Sequence, residues 1–221
     1  MKKEKKELRL EEESTAYSFD DYYTFEEFKD MEFPDELGKP ELIDGIICYQ
    51  GGATVRHEEI VISIIYQFAD YLLGKKCKVL GSNMCFVLQR KWKKERNIKP
   101  DIGLKPDVSI VCNSDILKED AGYGAPTIAV EVISKGTKKK DLHDKFEIYE
   151  ENGVKEYWIV FPENETVEVY YLDKEGKYSK SKKFSFSDEI TTNIFADFKL
   201  RVNIWGEIDE KKSNCSKLEN E

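Results

Sequence analysis

The chain has 221 residues, enough for one substantial buried core and short for two full domains. Hydrophobic residues make up 40% and charged residues 36%, which excludes a chain disordered throughout and predicts a heavily charged surface or charged tails. A formal net charge of -9, taken as a sum, argues against nucleic acid as a partner, because phosphate binding rests on Lys and Arg. The distribution of charge therefore matters more than the total.

The N-terminus, MKKEKKELRLEEE, has glutamates where a signal peptide would carry its apolar stretch, and no run approaches the length of a membrane span. Both points predict a soluble, cytoplasmic protein. Residues 1–15 and 207–221 are dominated by charged and polar residues and read as charged flexible tails around a single domain over residues 16–206. Cys48, Cys77, Cys85, Cys112 and Cys215 form no CxxC pair, and the first four lie in or beside apolar runs. They are expected to be buried free thiols of a reducing compartment. With only His57 and His143 to supplement them, a zinc site is not expected.

In chain order, Phe25 to Met31 predicts a short helix, and Pro34, Gly38 and Pro40 are expected to break regular structure. Residues 41–50, ELIDGIICYQ, place two apolar runs around Asp44-Gly45, a dipeptide that favours a tight hairpin. Val61, Ile64, Ile65, Phe68 and Leu72 fall at helical spacing, with Gly74 as the stop. Strands are predicted near Lys78–Leu80 and Met84–Leu88 and over Val108–Val111. Thr127–Ile133 is an apolar run interrupted only by Glu131, suited to a strand buried on both faces. Asp141 is placed as the N-cap of a helix carrying Leu142, Phe146 and Tyr149 on one stripe and ending at Asn152-Gly153. Tyr157–Phe161 and Thr166–Leu172 complete the strands. Helices alternating with strands predict an α/β protein with a mixed sheet and helices packed on it.

Two acids stand out by their setting. Asp107 directly precedes the apolar strand VSIV, and Glu131 lies inside TIAVEVIS. A carboxylate in a buried strand is costly unless a cation pairs with it. Acids brought together across neighbouring strands suit a hard cation with oxygen ligands. Lys145 borders the buried stripe of the following helix, where its stem can pack along the sheet and its amine reach the acids.

These residues carry a resemblance. Pro106-Asp107, Gly124-Ala125-Pro126, Glu131-Val132-Ile133-Ser134, Asp141-Leu142, Lys145, Tyr149 and residues 153–160 (GVKEYWIV), with Glu41-Leu42-Ile43-Asp44-Gly45 and His57 upstream, occur in order. Together they resemble the Uma-type family of putative restriction endonucleases in the PD-(D/E)XK nuclease superfamily. The superfamily's usual lysine two positions after the glutamate is Ile133 here, and the resemblance assigns its role to Lys145. It implies a restriction-endonuclease-like mixed β-sheet flanked by helices, with an N-terminal β-hairpin extension. It also implies a DNA endonuclease in which Asp107, Glu131 and the Val132 carbonyl hold Mg2+, for which Mn2+ could substitute. Lys145 would act on the reacting water or the transition state, with His57 and Glu41 as auxiliary catalytic groups. A homodimer is expected from the need to cut two strands.

Positive charge is concentrated in residues 90–99, RKWKKERNIK, and in the lysines at 138–140, both in connections flanking the proposed site. They are expected to touch a phosphate backbone, with Trp92 stacking on a base. Other readings stand beside these. The acids could belong to a structural ion pair, Lys145 could be a solvated residue paired with Asp141, and His57 an ordinary helix N-terminal residue. Glu41 could be a hairpin-edge charge, and the basic runs solvated loops. At the level of function, the rivals are a catalytically inactive nucleic-acid- or protein-binding module on the same fold and hydrolysis of a different phosphoester.

Overall fold

The computed structural model describes residues 22–34, 37–51, 53–133, 139–178 and 181–202. The expected tails and Cys215 lie outside these residues, as do Lys138 and the side chains of residues 139–141.

Helix α1 (Phe25–Lys29) is followed by the hairpin of β1 (Lys39–Ile43) and β2 (Ile46–Gln50). Asp44 and Gly45 turn it with φ of 48° and 82°, the double left-handed conformation for which an Asp-Gly pair is suited. Pro40 sits inside β1 instead of breaking it. On the β5 side β1 is registered only at Leu42, so the N–H that proline lacks is not needed there.

Helix α2 (Val55–Leu72) begins before the apolar spacing does, because Thr54 caps it by accepting from the His57 N–H at 3.2 Å. Then follow β3 (Lys78–Gly81), β4 (Phe86–Leu88), the short helix α3 (Lys91–Glu95), β5 (Ile102–Leu104), β6 (Val108–Val111), β7 (Gly122–Tyr123) and β8 (Ile128–Val132). Helix α4 (Lys139–Glu151) starts three residues earlier than an N-cap at Asp141 would place it, so residue 141 lies in its first turn instead of at its cap. The chain continues through β9 (Glu156–Phe161), β10 (Thr166–Tyr171), β11 (Lys182–Ser185), β12 (Ile190–Thr191) and β13 (Lys199–Leu200).

The strands form a six-stranded mixed sheet in the order β11-β10-β9-β8-β6-β3, a five-stranded sheet in the order β2-β1-β5-β4-β7, and the small pair β12-β13. Within the larger sheet β8 and β9 run parallel, joined by the α4 crossover, and the other pairs are antiparallel. Period-two alternation divides the two faces. Ile128, Val130 and Val132 pack with Ile60, Ile64 and Phe68 of α2, while Ala129 packs with Ile148 and Tyr149 of α4 and with Phe86, Ile102 and Leu104 of the second sheet. Glu131 shares the Ala129 parity, so it is aimed at α4.

The cysteines require a correction. Cys77 and Cys112 are joined in a disulfide, whereas Cys48 and Cys85 are not disulfide-bonded. The register is the reason. Lys78 opposes Val111 in the antiparallel β3–β6 pair, which puts the next residues outward, 77 and 112, directly across from one another with Cα atoms 4.0 Å apart. The sequence separation is 35. Opening a loop of that size is expected to cost about 3–4 kcal/mol by the chain-entropy relation. Melting with and without dithiothreitol checks this. A Cys77→Ser variant should lose the reductant effect.

Candidate active site

Three elements converge on the α4 face of the larger sheet. Val108 pairs with Val130, so continuing the antiparallel register by one residue sets Asp107 opposite Glu131. Asp107 and Glu131 are each 5% exposed. Oδ2 of Asp107 accepts from the Val132 N–H at 2.8 Å and lies 3.3 Å from His57 Nε2. Its Oδ1 lies 3.4 Å from the ammonium of Lys39, which also donates to the Lys105 carbonyl at 3.0 Å.

Lys145 and Tyr149 are one turn apart on α4 and reach the same oxygen. Glu131 Oε1 accepts from Lys145 Nζ at 3.0 Å and from the Tyr149 hydroxyl at 2.9 Å. The Lys145 ammonium also grips both oxygens of Glu41, at 3.1 and 2.8 Å, while the Lys105 N–H donates to Glu41 Oε1 at 2.6 Å. Lys145 is thus a buried cation between two acids and not a solvated helix residue. Glu41 is equally buried, and no free hairpin charge. His57 is both a first-turn helix residue and a partner of Asp107.

The titration behaviour follows from these contacts. Burial drives Glu131 up to about 7, Lys145 opposes the rise, and the neighbouring Asp107 and Glu41 add to it. Asp107 is pushed up by burial too, but the His57 bond and the Lys39 charge outweigh that and hold it below the usual carboxylate range. Burial lowers His57, yet the bonds and charges of Asp107 and Glu58 together outweigh it and leave the imidazole with a raised pKa. Lys145 is likewise held protonated against burial by Glu131 and Glu41.

Glu41, His57, Asp107, Glu131 and Lys145 line a cavity of about 70 Å3, bounded on the hairpin side by Tyr49 and Gln50 of β2. That is room for a few waters or a hydrated ion and too little for a nucleotide. Among the described residues no group of three or more His, Cys, Asp or Glu is arranged to hold a metal. Magnesium does not need one: it keeps several waters and is commonly bound through one or two carboxylates. Asp107 and Glu131 supply two hard oxygen donors from register-paired positions on one face of the sheet. The donor set fits a hard divalent ion.

The Uma2 family model, described as putative restriction endonuclease, matches residues 25–203. The chain belongs to the Uma2 family. The chain is 26% identical over 141 residues to the uncharacterized protein slr1290 of Synechocystis sp., a match covering 63% of this chain and 70% of that protein. In three dimensions it is similar to a crystal structure described as a putative nuclease belonging to DUF820 from Anabaena variabilis. The TM-score is 0.66 at 16% identity, covering 81% of this chain and 95% of the other. The restriction-endonuclease-like architecture inferred from sequence is therefore the fold of this Uma2 chain. Among its described residues no helix is long and apolar enough to cross a membrane.

Part of the expected basic surface of this Uma2 chain is internal. Arg90 is paired with Asp44 at 2.9 Å and Glu147 at 3.3 Å, and Lys93 is buried against Asp44 and Asp101. Both hold the hairpin turn against α3 and α4 and are not available to phosphate. Trp92, Lys91, Lys94, Arg96 and Lys99 remain exposed. The lysines at 138–140 fall outside the described side chains.

Two contributors lay outside the expected site: the hydroxyl of Tyr149 and the amine of Lys39. Both had a local signal. Tyr149 is four residues after Lys145 on one helix face, and Lys39 is two before Glu41 on one strand face. Tyr149→Phe removes a hydrogen bond to a buried carboxylate and is expected to cost roughly 1.5–3 kcal/mol above pH 7, measured by urea unfolding.

Proposed function

We propose that this protein is a metal-dependent DNA endonuclease hydrolysing phosphodiester bonds. The observation that carries the reading is the meeting of Asp107, Glu131 and Lys145 in one small buried cleft. The family and fold described above support it. Asp107 and Glu131 would hold Mg2+, or Mn2+ in its place, with the Val132 carbonyl as a further oxygen donor. Bound there, the ion supplies Lewis-acid polarisation of a phosphate and a more acidic water.

The chain's own residues do the rest. Glu41 and Glu131 fix the Lys145 ammonium beside the acids, where it can oppose negative charge gathering on a phosphate. His57 and the Val132 N–H fix the orientation of Asp107 by occupying one of its oxygens. The cavity admits a phosphate edge and not a base, so the strand must lie across its mouth. The exposed Lys91, Lys94, Arg96 and Lys99 with Trp92 offer a backbone contact and a stacking surface to such a strand. Phosphoryl transfer rests on positioning and electrostatics, so no nucleophilic side chain is required. Cutting both strands takes two such centres, which two copies of the chain would provide.

The test is incubation of the full chain with supercoiled plasmid in Mg2+ or Mn2+ and in EDTA. Nicked or linear product that depends on the metal supports the proposal. Binding of plasmid without product would overturn it in favour of an inactive nucleic-acid-binding module. Cleavage of a small phosphodiester with plasmid left intact would overturn the DNA substrate.

A further inference from the structure

Asp107 offers a metal only one uncommitted oxygen. Oδ2 is engaged by the Val132 N–H and by His57 Nε2, which leaves Oδ1. That is the oxygen on which Lys39 rests, at 3.4 Å. Lys39 is not a surface residue that drifts there. Its side chain is 19% exposed, and its ammonium is also anchored to the Lys105 carbonyl, on the connection leading into Asp107. Asp107, Glu131 and Glu41 bring three carboxylates to the cleft, and Lys145 answers only the last two directly. Lys39 completes the charge balance on the remaining acid.

From this geometry we infer that Lys39 is a built-in surrogate cation, occupying the ligand oxygen of Asp107 until a divalent ion displaces it. The inference rests on the metal-dependent reading proposed above. An ion held by Oδ1 would face an ammonium crowding the same atom. Two cations cannot share that oxygen without strong repulsion, so the ion and Lys39 compete. Lys39 therefore has two effects of opposite sign. It adds a cation at the Asp107 oxygen that His57 and the Val132 N–H do not reach, and it weakens metal uptake. Lys39 sits at the start of β1, so it can leave Asp107 without disturbing the Glu41–Lys145 pair two residues further along the strand.

The experiment is calorimetric titration of Mn2+ into the full chain, wild type against Lys39→Met and Lys39→Gln, with thermal melts in EDTA and at saturating Mn2+. Both variants are expected to bind Mn2+ about five-fold or more tighter than wild type. They should melt below wild type in EDTA, with the deficit shrinking or reversing in Mn2+. Equal or weaker Mn2+ affinity, with the same melting deficit in both buffers, would show Lys39 to be only a structural partner and overturn the inference while leaving the metal site standing. Absence of Mn2+ uptake at millimolar concentration by wild type and both variants would overturn the metal-dependent reading itself, and the inference with it.

Discussion

Asp107→Asn and Glu131→Gln are each expected to cut metal-dependent plasmid cleavage by about a thousand-fold or more, with the protein still folded. Each change keeps the side chain's size and removes the negative charge that would hold the ion. The two acids are register neighbours on one face of the sheet and both line a cavity only about 70 Å3 in volume. Among the described residues no nearby acid is free to replace either of them, because Glu41 has both oxygens committed to Lys145. The measurement is initial nicking rate at matched protein concentration, with melting curves as the control for folding. Calorimetry on the same variants should show loss of Mn2+ uptake. Cleavage persisting in both variants at the wild-type rate would mean that the activity belongs to a contaminant or to another site.

Lys145→Met is expected to give the largest loss of stability of any change in the cleft, about 3–5 kcal/mol at pH 8. It leaves Glu131 and Glu41, both buried, without the cation they share. The sign of the pH dependence follows from Glu131. Its folded-state pKa lies at about 7, above the ordinary 4.5. A carboxyl raised in this way favours the folded state below its unfolded pKa and loses that contribution as pH rises through the folded one. The metal-free wild type should therefore lose stability between about pH 4.5 and pH 7 through this group. Without Lys145 the folded pKa rises further and the loss continues to higher pH. Urea unfolding in EDTA should show the gap between variant and wild type widening from pH 5 to pH 8. A gap constant across that range would mean that lost packing, not charge, explains the effect.

The two long helices were readable from local patterning. Period 3.6 marks the buried stripes of α2 and α4, and Asp44-Gly45 specifies a turn needing left-handed backbone at both residues. The acid site was partly readable for a different reason. A carboxylate inside TIAVEVIS is too costly to bury without a partner, so Glu131 implies a nearby cation from sequence alone. The three-residue β5, the two-residue β7 and the division into two sheets carried no comparable signal. At three residues or fewer, period-two alternation does not repeat, and such strands are held by pairing with distant segments.

By itself, then, the sequence determined the α/β class, the two long helices, the hairpin and the identity of the acids that need a cation, because each of these follows from local periodicity, turn chemistry or the cost of burying a charge, whereas the short helix α3 was read as a basic connection. Only the tertiary structure decided which partners meet those acids. Lys145 and Glu41 lie 104 residues apart, Lys39 and Asp107 lie 68 apart, and Cys77 pairs with Cys112 through the β3–β6 register. The same holds for Arg90 and Lys93, which look like a phosphate-binding run in sequence and are consumed by Asp44 and Asp101 inside the molecule. Residue types fix what each side chain can do. Strand register and helix docking, which depend on the whole core forming at once, fix which of them are close enough to do it.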